Sequence, residues 1–363
     1  MKNIPDLTKI VGSYHFGSDS ISALEATIAP KRDRNSKACI FFIDHFFQGD
    51  KLIDSLPIMQ EDSVFYVDSS DETTTEQIDL YVTKINEICI NIPCCIIGIG
   101  GGTTMDIAKA VSILLGNGGK AEKYQGWNLV NNPGVFKIGI PTLSGTGAES
   151  SRTCVLVNKD KNIKLGINSP FTVFDHLILD PKLSATVPKQ QFFYTAMDTY
   201  IHCIESLNGK YRHDLADIFS KNALRLLREV MHSNKLNELE NRKKLLIASY
   251  LGGSAIGNSY VGVVHPFSAG LSTVLGTHHC EANCITMGKM SEFYPDETDE
   301  FLTIVKKHKI KIPEKLCVDM EYDLLSKLYE ACIIHEKPLE NALGNNYKNI
   351  LSKEKIINIY MGM

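Results

Sequence analysis

Residues 94–115 constrain this chain more than any other stretch. An apolar run of strand length, residues 94–100 (CCIIGIG), passes directly into Gly100-Gly101-Gly102-Thr103-Thr104-Met105-Asp106, and residues 107–115 then place apolar side chains at helical spacing. Strand, glycine turn and helix in that order make half of a β-α-β unit, and a strand that is apolar on both faces belongs in a parallel sheet covered on both sides. The flanking sequence has the same texture. Residues 38–44 (ACIFFID) and 63–68 (SVFYVD) read as strands with a helix at 74–90 after them, and further strands are expected at 136–141, 153–158 and 176–179.

Past Pro181 the pattern changes. Residues 188–207, 214–232, 242–256, 264–275, 281–293 and 322–335 show spacing near 3.6 and few strand signals. The Asp180-Pro181 step and Pro188 punctuate the change. The expected architecture is an α/β N-terminal domain with a parallel, Rossmann-like sheet, residues 1–182, followed by an all-α C-terminal domain, residues 183–363.

Charge narrows the partners. Thirty-eight Lys and Arg against 42 Asp and Glu give a net charge of -4, too balanced for the phosphate-neutralising surface that nucleic acids require. No apolar run reaches the roughly 18 residues that span a bilayer, and the start MKNIPDLTKIVGSYHFGSDS has no apolar core before a small-residue cleavage site. A cytoplasmic protein with neither nucleic-acid nor membrane partner is expected. The ten cysteines form no CxxC pair and several lie in apolar runs, which reads as free thiols in a reducing compartment. Cys280 and Cys284 follow His278 and His279 at one helical turn, but no second cysteine pair accompanies them, so a closed structural zinc site is not expected.

The glycine turn has a chemical use. A helix N-terminus after a strand presents unpaired N–H groups and a positive dipole end to a phosphate, and glycine lets the backbone approach it. A bare structural turn is the alternative. A second loop, Pro141-Thr142-Leu143-Ser144-Gly145-Thr146-Gly147-Ala148-Glu149, follows the strand at 136–141 and is dense in hydroxyls and glycines. Two such loops at C-terminal strand ends point to a nucleotide, because open α/β sheets bind nucleotides along that edge. Asp44, ending an earlier strand, suits a ribose 2'-hydroxyl and would repel a 2'-phosphate; a turn-forming Asp is the alternative. Asp106, placed in the first helical turn, either joins the cofactor site or only ties down the helix dipole.

In the helical half, Asp198 and His202 stand at i, i+4 on one helix face, close enough to share one ion or merely to bond each other. His265 and His279 each open an expected helix. Three His and one Asp form a donor set suited to Fe(II) or Zn(II).

The order GGGTTMDIAKA, PTLSGTGAES, AMDTYIHCIE, GVVHPFSAG and HHCEAN resembles the iron-containing, metal-dependent (group III) alcohol dehydrogenases across nearly the whole chain. The resemblance implies a nucleotide domain and a helical domain that together hold NAD and one divalent metal, Fe2+ or Zn2+. It implies metal ligation by Asp198, His202, His265 and His279, and pyrophosphate contacts from Gly101, Gly102 and Thr103. It further implies cofactor contacts from Thr142, Ser144, Thr146 and Lys164, with Asp44 on the ribose and Asp106 in the cofactor loop. The implied reaction passes a hydride from an alcohol to nicotinamide, with a homodimer as the expected assembly.

Three departures from that pattern matter. The cleft histidine that many members carry four residues after the third ligand is Ala269, the usual Asn-Pro-Thr is Glu72-Thr73-Thr74, and the glycine after the fourth ligand is Cys280. They point to a larger, polar substrate, such as the terminal primary alcohol of a sugar acid in the manner of the 3-deoxy-D-manno-octulosonate 8-oxidase branch, with Arg152 and Lys289 as available cations. His278 is the expected proton-handling group, with a solvent-facing or capping histidine as the alternative. A simple alcohol or polyol dehydrogenase and a dehydroquinate-synthase-like lyase, which would recycle its NAD, are the competing readings.

Overall fold

The computed structural model describes residues 9–32 and 37–363. The first eight residues of the expected 1–182 domain therefore lie outside the described residues. The chain forms two compact units that divide between Thr186 and Val187.

Among the described residues the first unit carries nine strands: β1 (Ser13–Phe16), β2 (Cys39–Asp44), β3 (Ser63–Val67), β4 (Cys95–Gly100), β5 (Gly126–Trp127), β6 (Lys137–Pro141), β7 (Thr153–Asn158), β8 (Ile163–Asn168) and β9 (His176–Leu179). Six of them form one sheet in the order β1-β9-β6-β4-β2-β3, with every pairing parallel. From β2 the chain steps outward to β3 and returns to place β4 on the other side of β2. The order reverses there, which makes the β2/β4 junction the switch point where such sheets bind ligands. Phe41, Ile43, Ile97, Ile99, Ile138 and Ile140 bury one face of this sheet.

Three strands depart from a single parallel sheet. β7 was expected within it, but it pairs antiparallel with β8, and β8 with β5, in a separate three-stranded sheet. Its alternating burial shows why, since only one of its faces is covered. β1, β5 and β8 go beyond the expected strands. β1 is short and exposed along its whole length, so its residues carry no apolar pattern to read.

The second unit is helical. Its longer helices are Lys189–Asn208, Asp214–His232, Leu239–Asn258, Val264–Leu275, His279–Met287, Pro295–His308 and Tyr322–Ile333, around a core that includes Phe193, Met197, Tyr200, Leu227, Leu245 and Phe267. The helix expected at 281–293 starts earlier, which puts His279 inside its first turn. Pro295–His308 goes beyond the expected helices; it opens on proline with Asp296 and Glu297 and closes on Lys306, Lys307 and His308, the charges that suit a helix dipole. All ten cysteines are free thiols. No helix among the described residues is long and apolar enough to cross a membrane.

His176 links β9 to the edge strand, its Nδ1 sharing a hydrogen bond with Ser13 Oγ at 2.7 Å. Burial, helped by the neighbouring His15 imidazole, pulls His176 down to about 4. A histidine held below its unfolded pKa binds fewer protons folded than unfolded. Stability is therefore intact above about pH 6.5 and is lost as the pH falls toward 4, by at most about 3 kcal/mol. The urea midpoint of the wild type should drop in that window and that of His176→Asn should drop less; equal pH slopes would contradict the assignment.

Candidate metal centre and dinucleotide loops

At the switch point, β2 ends on Asp44 and β4 on Gly100. They are immediate neighbours: a Cβ built on Gly100 would stand 3.1 Å from Asp44 Cβ and 2.5 Å from Thr104 Oγ1, so only glycine fits. Gly101 caps the helix Gly102–Asn117 without a side chain, and the first helical bond runs from Met105 N–H to the Gly101 carbonyl. The N–H groups of Gly102, Thr103 and Thr104 consequently have no acceptor within the helix.

The hydroxyl-rich loop folds onto this turn. Thr142 N–H donates to the Gly100 carbonyl at 3.0 Å, and Thr146 packs so closely on Gly102 that a Cβ there would meet Thr146 Oγ1 at 3.3 Å. Thr142 and Ser144 are buried. Asp44 is fixed in place, because Oδ1 accepts from Phe46 N–H at 3.0 Å and Oδ2 from Ser69 Oγ at 2.8 Å. The structure therefore gathers Asp44, Gly101, Gly102, Thr103, Thr142, Ser144 and Thr146 around one strand edge.

Asp106 and Lys164 are placed differently. The helix begins at Gly102, so Asp106 is its fifth residue rather than a first-turn group, and the dipole reading fails. Its Oδ2 accepts from Val155 N–H at 2.9 Å, tying the helix to β7. Burial raises its carboxyl to about 6 against the pull of Lys109. Lys164 is buried on β8 and donates to Glu72 Oε1 at 2.6 Å, so its ammonium is already matched by a carboxylate. Arg152 is buried as well, donating to Asn128 Oδ1 at 2.7 Å and lying over the Trp127 ring.

In the helical unit, one carboxylate organises the site. Asp198 and His202 share a face of Lys189–Asn208, while His265 and His279 stand in the first turns of Val264–Leu275 and His279–Met287. Asp198 is fully buried. Its Oδ1 lies 3.6 Å from His202 Nε2 and 3.6 Å from His265 Nε2, and its Oδ2 lies 3.9 Å from His279 Nε2. The donor atoms of Asp198, His202 and His265 all fall within 4.8 Å of one another. The rings of His202 and His265 stack with centroids 4.8 Å apart.

Burial alone would raise the Asp198 carboxyl, but the imidazoles of His202, His279 and His265 outweigh it and hold the group well below the usual carboxylate range. Burial also pulls His202 down to about 4 despite Asp198. An ionised carboxylate beside a neutral imidazole is the protonation pattern that ligation needs. A dry carboxylate facing ring nitrogens, with no guanidinium or ammonium among its described ion pairs, fits a divalent cation.

Three further residues touch this site, of which Asn283 and Glu205 go beyond the sequence reading. Asn283 Nδ2 donates to Asp198 Oδ1 at 2.6 Å, Cys280 Sγ lies 3.5 Å from Asp198 Oδ2, and Glu205 contacts His265 Nδ1. Helical spacing could have found two of them, since Asn283 follows His279 by four residues and Glu205 follows His202 by three. His278 is exposed and its side chain makes no capping bond. Ala269 is buried one turn beyond His265, and Lys289 is exposed.

With this geometry in place, the likeness to known proteins is informative. Residues 12–181 match the family described as iron-containing alcohol dehydrogenase, and residues 192–335 match the C-terminal part of the Fe-containing alcohol dehydrogenase family. The chain is similar to a sulfoacetaldehyde reductase of Bilophila wadsworthia, 36% identical over 174 residues that cover 47% of this chain and 44% of that protein. It is also similar to an NAD-dependent methanol dehydrogenase of Bacillus methanolicus, 30% identical over 200 residues, 54% of this chain and 52% of that one. The chain thus spans about half the length of these curated relatives. An iron-containing alcohol dehydrogenase from Thermotoga maritima shares the fold, with a TM-score of 0.78 at 22% identity over 98% of each chain.

Asp198→Asn removes the charge around which the three imidazoles gather. The variant should lose most of its bound metal by elemental analysis and its turnover, while NADH binding by the first unit survives. Full metal content after substituting Asp198, His202, His265 and His279 one at a time by Ala would refute the centre.

Proposed function

Because the chain belongs to the iron-containing alcohol dehydrogenase family, we propose that it is an NAD- and metal-dependent oxidoreductase that interconverts an alcohol and its carbonyl compound. The observation that carries this reading is the cluster of Asp198, His202 and His265 donor atoms within 4.8 Å of one another, with His279 Nε2 3.9 Å from Asp198 Oδ2. When bound, a divalent ion (iron or zinc) lowers the pKa of a substrate hydroxyl and nicotinamide accepts the hydride. Asp198 and the three imidazoles are the residues that would hold the ion. Asp198 stays ionised because its neighbours are imidazoles, and His202 stays neutral because it is buried.

In the first unit, the free amides of Gly102 and Thr103 beside Gly101 suit a pyrophosphate, and the hydroxyls of Thr142, Ser144 and Thr146 suit its oxygens or a ribose. Asp44 selects NAD over NADP, since a 2'-phosphate at about 4 Å from its carboxylate would be disfavoured by roughly 1 to 4 kcal/mol. Wild-type protein should prefer NAD, and Asp44→Gly should narrow the gap to NADP in kcat/KM. Equal activity of the wild type with both cofactors would remove this role.

Two features support an acid-bearing substrate. Ala269 puts a methyl rather than an imidazole one turn beyond His265, and one of the relatives above is named for sulfoacetaldehyde. The substrate is therefore an alcohol or aldehyde that also carries an anionic group, a small sulfonate or a sugar acid with a terminal primary alcohol. A second copy of the chain is the expected partner, supported by β1, an outermost strand that exposes Tyr14 and Phe16. Following reduced cofactor by absorbance, the acid-bearing substrates should exceed ethanol and 1,2-propanediol by at least about tenfold in kcat/KM, roughly 1.4 kcal/mol. Equal turnover of the short neutral alcohols would end the acidic-substrate reading and leave the dehydrogenase standing, whereas carbonyl products without net cofactor reduction would favour a lyase.

A further inference from the structure

Glu205 has no role in the chemistry described so far, yet it is 1% exposed and both of its oxygens are engaged by the same helix end. It sits on Lys189–Asn208, three residues after His202. Its Oε1 accepts from Val264 N–H at 2.6 Å, and its Oε2 lies in a short contact with His265 Nδ1. One carboxylate thereby anchors the first turn of Val264–Leu275 and grips the far side of the ring whose Nε2 faces Asp198 at 3.6 Å. A carboxylate that accepts from Nδ1–H leaves the Nε2 lone pair free, which is the tautomer a metal requires. His202, by contrast, has a buried Nδ1 with no hydrogen-bond partner among the described residues, so this support is particular to His265.

Charge gives Glu205 a second effect. The ion pairs that Asp198 and Glu205 make in the described structure are with imidazoles. Ligation requires the rings to give up their protons, and the carboxylates of Asp198 and Glu205 would then set two negative charges against a divalent cation. On the metal-centre reading above, we propose that Glu205 is a positioning residue: it locks His265 in the ligating tautomer and provides the second buried charge that matches a divalent ion.

The test uses full-length protein stripped with a chelator and reloaded with Co2+, whose visible bands report its ligands. Glu205→Gln keeps the shape and loses the charge. It should bind Co2+ about 10- to 100-fold more weakly in competition with a chromophoric chelator, with altered visible bands. NADH binding and the thermal midpoint of the metal-free protein should stay near wild type. In a His265→Ala background the same substitution should cost no further affinity, whereas a merely structural role would add its effect in both backgrounds. Glu205→Asp, which keeps the charge but draws it back by one methylene, should fall between wild type and Glu205→Gln, and it carries the test if the amide variant does not fold. Wild-type affinity and wild-type bands in the folded variants would overturn the role of Glu205 and leave the centre intact. Wild-type protein that takes up no Co2+ would overturn the metal centre and this proposal together.

Discussion

A carboxylate removed from water must be surrounded by partners, and Asp198 is the group around which the helical unit arranges three helices. An unpaired charge at such depth would cost several kcal/mol. Here His202 comes from its own helix, His265 and His279 come from the first turns of two others, and Asn283 donates from one turn further on. Bringing imidazoles rather than guanidinium or ammonium groups to the carboxylate has a consequence. Burial keeps the His202 ring neutral, whereas at His265 burial is outweighed by Glu205 and Asp198, which push it up to about 9, so the cluster mixes neutral and cationic imidazoles around one carboxylate.

The first unit solves a different problem with different means. Its parallel sheet buries both faces, and the chain reverses direction across the sheet between β2 and β4. At that reversal no strand-to-helix turn crosses over, and the turn ending in Gly100 to Gly102 leaves helix amides without partners. The second loop seals the turn through the Thr142 to Gly100 bond, and Asp44 is held rigid by Phe46 N–H and Ser69. The chemistry differs between the units: backbone donors gather at a fixed strand edge here, whereas a carboxylate and ring nitrogens gather around Asp198 in the other unit.

Much of this was legible beforehand because it rests on local periodicity. The apolar runs of β2 and β4 and the helical spacing around Asp198 and His202 follow from single-element geometry, which sequence spacing encodes directly. β8 was harder to see. It carries Lys164 in its interior, and a lysine reads as solvent-facing until Glu72, far away in sequence, is known to neutralise it. Glu205 is a similar case: spacing places it on the His202 face of its helix but does not show that it is buried, and only the arrival of Val264 and His265 gives its oxygens their partners. Asp106 shows the reverse error. A carboxylate beside a glycine turn reads as part of the phosphate site, but the approach of β7 turns it toward Val155 N–H.

The sequence by itself determined the two-unit plan, the phosphate-suited turns and the residue types of the metal centre, because each depends on contacts within a few residues along the chain. Tertiary structure alone decided which polar groups are spent on the fold and which face the site. Glu72 and Lys164 meet across 92 positions, Asp106 and Val155 across 49, and Glu205 and His265 across 60. A polar side chain states its chemistry in its name, but its role depends on which partner desolvates it, and that partner is chosen only when distant elements pack.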